Sequence, residues 1–395
     1  MKKKIRLLTA ILLVFITTFG MNIEASAAGI TLYNSQLKRL ALLNNAYTYD
    51  NEIYCSGINA MGISSDNNNC LYTIKIDSDN EAAAIMYYFP NISDWTTYKK
   101  FDLYGVGHAN GMTVDEDYIY ICASRTKNVT KPNNKIVRIS RNYISSLYNA
   151  EEPILTASTT NENCKIMQPK KVNPNVSDRA TTPYVNYTEK FSTISMDKSS
   201  GTFIIGKVFD NVDSLEYNGF TRARIIDNEF VVSTDINDMF LVKNNIVYQN
   251  AARQDICYAS GYGLFIGKWY RKPAYDPDDD ITDEEDDNRD PTKNVILWAN
   301  IDKKATESHK GYKLYIPDRI LIDVGDYVSK EYNVKMYTFF EIESLGITNK
   351  GNLVANFNIN YTEEYRTAYR NENGVNPSRG GIYKITREDG SQYKL

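Results

Sequence analysis

The sequence predicts an all-β protein, a β-propeller of five blades, each with four antiparallel strands, around a central channel. Three observations lead to this fold. A block of strand-like segments recurs five times along the chain. Within each block, apolar and polar residues alternate with the period of a β-strand, and turn residues separate the segments. The two chain ends together supply the length of one block. Repeated blades of similar length are typical of propellers.

The first 27 residues have the three parts of a secretory signal peptide. A basic segment (2–6) precedes an apolar stretch (7–19), and Ala25-Ser26-Ala27 forms a small-x-small cleavage site. The apolar stretch is shorter than a membrane-spanning helix requires. We therefore expect a protein of bacterial type that is secreted, is not inserted in a membrane after cleavage, and folds as one monomeric domain over residues 28–395.

Each repeated block starts with a polar residue, which is followed by an apolar strand, a turn and a second strand. A third strand of the form x-Ile-x-x-Ile follows a loop. In the first block we assign 45–50 to the first strand, 53–55 to the second and 71–76 to the third. The blocks start at Asn45, Asn110, Ser192, Gln254 and Glu343. The intervals suit four-stranded blades with loops of variable length.

The chain ends predict how the ring closes. The segment from Glu343 to the C-terminus lacks one strand of a full blade, and Ile30–Tyr33 would supply it as the outer strand. Such pairing removes the open edges of a sheet. A six-bladed ring is the alternative, with a degenerate blade inside one of the two longest intervals. Insertions are expected near 150–188 and 275–291, both as loops.

Charge and cysteine content limit the function classes. The formal charge is −4, and it becomes −7 when the leader removes four basic residues and one acidic residue. An acidic chain without a basic cluster is a poor ligand for nucleic acid.

Five cysteines, an odd number, argue against a complete disulfide framework. Two alternatives remain for Cys55 and Cys70: a disulfide bridge across a hairpin, or two separate small strand residues.

The starting residue of each block is the main candidate for a binding site. In a propeller the first strand of each blade lines the channel, so these five polar residues would form a ring at its mouth. The alternative is that they cap local backbone groups, as Asn and Ser often do. Further candidates stand one or two positions earlier, and they are His108, Lys190, Arg253 and Glu341. His108 is also a weak candidate for a general base or a ligand.

Two groups of oxygen-bearing residues are candidate Ca²⁺ ligands. Amide and carboxylate oxygens suit this cation, and the ring offers them at Asn45, Asn110, Gln254 and Glu343. The acidic insertion offers Asp276, Asp278, Asp280 and Asp287. Its sixth position is Ile281, where an EF-hand requires glycine, so a solvated acidic loop is the favoured interpretation.

Two stretches carry a family resemblance. They are His108-Ala109-Asn110-Gly111-Met112-Thr113-Val114 and the segment from Ile342-Glu343-Ser344-Leu345-Gly346-Ile347 through Ile382-Tyr383-Lys384-Ile385. Together they resemble secreted bacterial propeller proteins, and they have limited similarity to the helveticin J-like class III bacteriocins. That resemblance implies a propeller fold and an activity against related bacteria.

Three functions remain open at this stage. The first is a non-catalytic extracellular propeller that binds a surface glycan or a protein at the channel mouth. The second is a metal-dependent hydrolase or lactonase with an axial metal, and the third is an antibacterial factor of helveticin type. The chain has no nucleophile elbow, phosphate-binding glycine loop or H-E-x-x-H zinc motif, which favours the first.

Overall fold

The protein is built almost entirely from β-strands, as the alternating segments predict. The computed structural model describes residues 32–43, 48–49, 53–64, 66, 69–77, 83–123, 135–173, 184–189, 191–244, 252–269, 294–322, 337–374, 377 and 380–395. None of the helices in these ranges is long and apolar enough to cross a membrane.

The strands in the first half of the chain are β1 (Leu32–Leu43), β2 (Thr48–Tyr49), β3 (Ile53–Ile63), β4 (Leu71–Asp77), β5 (Ala83–Phe89), β6 (Lys99–Tyr104), β7 (Met112–Val114), β8 (Tyr118–Cys122), β9 (Ile136–Ser140), β10 (Ile154–Thr156), β11 (Cys164–Met167), β12 (Lys170–Val172), β13 (Tyr184–Asn186) and β14 (Ile194–Asp197).

The second half contains β15 (Thr202–Lys207), β16 (Tyr217–Ile226), β17 (Glu229–Val232), β18 (Met239–Lys243), β19 (Ala252–Ala259), β20 (Gly263–Trp269), β21 (Asn294–Ala299), β22 (Glu307–His309), β23 (Tyr312–Tyr315), β24 (Asp318–Ile322), β25 (Tyr337–Ile347), β26 (Leu353–Tyr361) and β27 (Gly380–Arg387). Helix α1 (Arg141–Ser146) starts after the cap Ser140. Helix α2 (Glu363–Asn373) starts after the cap Thr362 and ends at Gly374, whose φ of 73° suits glycine.

The strands form a propeller-like arrangement of four hydrogen-bonded sheets, of which the eight-stranded sheet has two four-stranded runs joined edge to edge. The antiparallel runs are β3-β4-β5-β6, β7-β8-β9-β11, β14-β15-β16-β17, β19-β20-β21-β24 and β25-β26-β27-β1. The first strands of these runs contact one another in sequence, and β25 in turn contacts β3. They therefore surround a common axis.

Buried apolar clusters join each run to the next. Residues of β4 and β9 share one cluster, β8 and β15 a second, β16 and β20 a third, and β20 and β26 a fourth. A fifth cluster joins Val354 of β26 to Met61 of β3 and so connects the last run with the first. Apolar burial is the main favourable term in folding, so these interfaces hold the ring of inner strands together.

The N-terminal strand completes the last run. Ser35–Leu43 of β1 pairs antiparallel with β27, while Leu32–Asn34 pairs parallel with β24. The sequence analysis placed this pairing at Ile30–Tyr33, a few residues too early. Leu37, which is buried in the cluster around β25, fixes the register instead because it must point inward.

Two predictions about strands are wrong. In the first block, 53–55 belongs to the inner strand β3, not to the second strand, and 71–76 lies in the second strand, β4. The segment 150–188 is also more than a loop, because it holds β10, β11, β12 and β13. Of these, β11 pairs with β9 as the outer strand of its run, with Cys164 and Met167 buried. The insertion at 275–291 lies outside the described residues.

Candidate functional site at the axis

Three of the inner strands have a β-bulge at the polar position of the repeat. The pairing register shifts around Asn59 in β3, around Gln254 in β19 and around Glu343 in β25. A bulge leaves one residue outside the ladder and redirects its side chain. Asn110 and Ser192 occupy the matching positions just before β7 and β14. These five residues, Asn59, Asn110, Ser192, Gln254 and Glu343, are called the axial ring below.

Asn59 takes the place that the sequence analysis gave to Asn45. Asn45 lies outside the described residues, whereas Asn59 stands on the strand that contacts β7 and β25. Its Nδ2 donates to the carbonyl of His108 at 3.0 Å. The signal was present in the sequence, because Asn59-Ala60-Met61-Gly62-Ile63 matches Glu343-Ser344-Leu345-Gly346-Ile347 at the polar, small, apolar, glycine and isoleucine positions.

The backbone at Gly111, next to Asn110, closely approaches two neighbouring inner strands. A Cβ at this position would lie 3.1 Å from the carbonyl oxygen of Ser192 and 3.2 Å from Oδ1 of Asp255. Only glycine therefore fits here without displacing both neighbours. The preceding Ala109 is buried with a φ of 48°, which is unusual for a residue other than glycine. This turn places Gly111 against Ser192, which precedes β14, and against Asp255 of β19.

The strongest electrostatic feature of the ring is the pair Glu341 and Glu343. Gln254 Nε2 donates to Glu341 Oε1, and Asn358 Nδ2 donates to Glu343 Oε1 at 2.6 Å. Burial, followed by repulsion from Glu341 and a hydrogen bond between the two carboxyls, raises the pKa of Glu343 well above its usual range. Two carboxyls in contact share a proton in this way. The pair consequently both donates and accepts hydrogen bonds.

Asp255 lies directly beneath the axial ring and is fully buried. Its Oδ2 accepts from the backbone N–H of Leu345 at 3.1 Å, which ties β19 to β25. Its Oδ1 has no hydrogen-bond partner among the described residues. Burial raises the pKa of Asp255 well above its usual range, because an ionised carboxyl is poorly solvated there.

Replacing Asp255 with asparagine is expected to increase the free energy of unfolding at neutral pH. The folded state holds the proton of Asp255 to a higher pH than the unfolded chain, which loses it above its ordinary pKa of 3.8. The folded state thus binds more protons, and wild-type stability falls as pH rises above about 4. An asparagine side chain would accept the same backbone N–H without ionising. Urea unfolding between pH 4 and pH 8 should give a flatter profile for Asp255→Asn, with exposed Asp117→Asn as the control.

The other candidates from the sequence lie elsewhere. Arg253 is positioned between β15 and β19, because its guanidinium occupies the space that a Cβ at Gly206 would need and lies 5.4 Å from the Phe220 ring. Burial lowers its pKa to about 10. His108 lies in the turn before Asn110, and its backbone carbonyl accepts the hydrogen bond from Asn59. Outside the described residues lie Lys190, Asp276, Asp278, Asp280 and Asp287.

No metal-ligand cluster is visible in the described part of the chain, where no three His, Cys, Asp or Glu side chains converge. Calcium at the axial ring through Asn110, Gln254 and Glu343 stays a prediction, because amide oxygens also bind this cation. Four cysteines in the described ranges, Cys70, Cys122, Cys164 and Cys257, are buried free thiols. Asp255 and Asn358 were not predicted as members of the site, because neither stands at the repeating position.

Comparisons with known proteins give only distant structural likeness. No family model and no curated protein matches the chain. The solved structures that resemble it include a glucose dehydrogenase (8% identity, 89% of this chain and 100% of that chain, TM-score 0.37). They also include the GH43 endo-arabinanase from Bacillus licheniformis (9%, 84% and 95%, 0.39) and the Myceliophteria thermophila Cps50 (Swd1) β-propeller domain (8%, 85% and 86%, 0.31). At these scores they carry no argument about activity.

Proposed function

We propose that the protein is a secreted five-bladed propeller that binds a neutral glycan at the axial ring without turning it over. The count of five blades is supported by the five antiparallel runs, by the cyclic contacts of their inner strands and by the buried cluster between β26 and β3. Secretion is supported by the N-terminal leader pattern alone.

The observation that carries the proposal is the composition of the axial ring. It combines uncharged amides and a hydroxyl with a hydrogen-bonded carboxyl pair, so the site contains both donors and acceptors. Saccharide hydroxyls need both kinds of partner. A protein ligand would instead require a larger contact area with an apolar centre.

The geometry of the carboxyl pair supports binding rather than glycoside hydrolysis. Glycosidases hold their two carboxyls about 5–5.5 Å apart when they retain configuration and about 6.5–9.5 Å apart when they invert it. Glu341 and Glu343 are in hydrogen-bond contact, which leaves no space between them for a sugar carbon or an attacking water. Their arrangement suits a hydrogen-bonding platform.

Asn110→Ala is expected to weaken glycan binding about five- to tenfold, as loss of one hydrogen-bonding amide does. Asn110 is partly exposed, and its buried Oδ1 has no hydrogen-bond partner among the described residues, so alanine removes no hydrogen bond that this atom makes within the fold. The measurement is a calorimetric titration with neutral oligosaccharides of glucose, xylose, arabinose, mannose and N-acetylglucosamine. Asn211→Ala, an exposed asparagine on a loop after β15, is the matched control.

A calcium titration separates this proposal from the hydrolase alternative. If calcium binds the wild type and Glu343→Gln abolishes the heat, the axial ring is a cation site and the metal-dependent interpretation replaces ours. If no sugar in the panel binds the wild type, or if Asn110→Ala binds it unchanged, glycan recognition at the ring is wrong.

A further inference from the structure

A cavity whose chemistry differs from that of the axial ring lies beyond the C-terminal end of β25. It has a volume of about 230 Å³ and is enclosed by β1, β26, β27, the turn after β25 and the loop after β5. This turn begins at Thr348, five residues beyond Glu343, which corresponds to about 16 Å along an extended strand. We call this cavity the Trp95 cleft, and its lining includes Asn69, Asn91, Trp95, Lys350, Asn352 and Lys384.

The amide groups of the Trp95 cleft are oriented as donors. Asn69 Oδ1 accepts from the backbone N–H of Asn349 at 2.8 Å, and Asn91 Oδ1 accepts from that of Ser93 at 2.9 Å. Asn352 Oδ1 accepts from Gln392 Nε2 at 2.9 Å. Each amide oxygen thus already accepts a hydrogen bond, and the NH₂ groups are the donors that can bind a ligand.

The charge of the Trp95 cleft is positive, in contrast to the acidic chain. Lys350 is exposed and Lys384 is half-buried, and neither forms a salt bridge within the described residues. None of the residues that line the cleft is acidic. Ammonium and amide donors without a carboxylate favour a ligand rich in negatively charged acceptors.

The apolar side of the cleft is held rigidly. The Trp95 ring lies 5.7 Å from that of Phe89 and packs on the cluster that joins β26 to β3. Its loop is fixed by Asp94, which accepts from the hydroxyls of Thr96 at 2.7 Å and Thr97 at 2.5 Å. A rigid indole offers an apolar face at low entropic cost, which suits the CH-rich face of a sugar ring.

We infer that the Trp95 cleft binds an anionic saccharide unit, with its sugar ring against Trp95 and its carboxylate or sulfate at Lys350 and Lys384. The amide NH₂ groups would donate to the ring hydroxyls and to the acid group. The site differs from the axial ring in position and in charge preference, and it does not depend on the function proposed there.

The test is a calorimetric titration of the full mature chain with trigalacturonic acid, its neutral methyl ester, a sulfated galactose disaccharide and inorganic sulfate. Hydrogen bonds to charged groups are strong, so Lys350→Gln/Lys384→Gln is expected to weaken binding of the acidic sugars at least tenfold. Wild-type affinity should also fall with added salt. Lys303→Gln, an exposed lysine elsewhere, is the control.

Trp95→Ala should weaken the same ligands, and Trp95→Phe should restore part of the affinity while thermal melting verifies the fold. The inference is overturned if the methyl ester binds as well as the acid, if the double lysine variant binds unchanged, if sulfate alone accounts for the heat, or if no acidic sugar binds. Asn110→Ala must leave these titrations unaltered, which separates the two sites.

Discussion

Replacing Leu37 with aspartate is expected to abolish cooperative unfolding or to lower the melting temperature by about 10 °C or more. Leu37 is buried in the core around β25, and it lies on the strand that pairs with β27 along Ser35–Leu43. An aspartate there removes apolar burial worth about 2–5 kcal/mol and places a carboxyl among apolar side chains. Detachment of β1 would then expose the edge of β27 and open the ring.

The matched control is Lys38→Asp on the same strand. Lys38 is exposed and pairs across the ladder with Lys384, so its change should alter the unfolding free energy by no more than about 0.5 kcal/mol. Differential scanning calorimetry of both variants is the measurement. Equal melting temperatures for Leu37→Asp and the wild type would show that β1 does not close the fold.

Asn294→Ala is expected to destabilise the protein by about 2–5 kcal/mol and to weaken glycan binding at the axial ring. Asn294 is fully buried. Its Nδ2 donates to the carbonyl of Phe340 at 2.9 Å, and its Oδ1 accepts from the backbone N–H of Ile342 at 2.8 Å. Alanine would leave two buried backbone groups without these partners. The same two bonds hold the strand on either side of Glu341.

Chemical unfolding measures the stability change, and calorimetry on the folded variant at low temperature measures binding. Asn300→Ala is the control. Asn300 follows the same strand, but its Oδ1 accepts an exposed hydrogen bond from the backbone N–H of Asp302. Asn294 acts as a positioning residue if affinity falls while the circular dichroism of the variant remains native. Unchanged affinity in the folded variant would assign it a purely structural role.

The repeat was sufficient to predict most inner strands, because period-2 alternation and a polar starting residue survive in every block. It failed in the first block, where Asn45 and Asn59 both precede apolar residues and only tertiary contacts decide between them. The segment with β11 was missed because its two buried residues, Cys164 and Met167, are too few to show a period.

The site could be predicted only in part, because the repeat shows which residues share a position and not which residues they contact. Position in the repeat identified Asn110, Gln254 and Glu343, but it could not identify partners that come from other positions. Asn358 reaches Glu343 from the second strand of the run, and Asp255 follows Gln254 on the opposite side of β19. The bulges that redirect Asn59, Gln254 and Glu343 are set by pairing between strands, which no local sequence pattern reveals.

The most direct test of the central claim is a crystal structure of the mature chain with the tightest-binding neutral oligosaccharide. We predict five four-stranded blades, with Asn59, Asn110, Gln254 and Glu343 facing one mouth of the channel. Sugar hydroxyls should be hydrogen-bonded to the Glu341–Glu343 pair or to Gln254. Electron density for the sugar away from the axis, with the axial ring unoccupied at saturating ligand, would contradict the account.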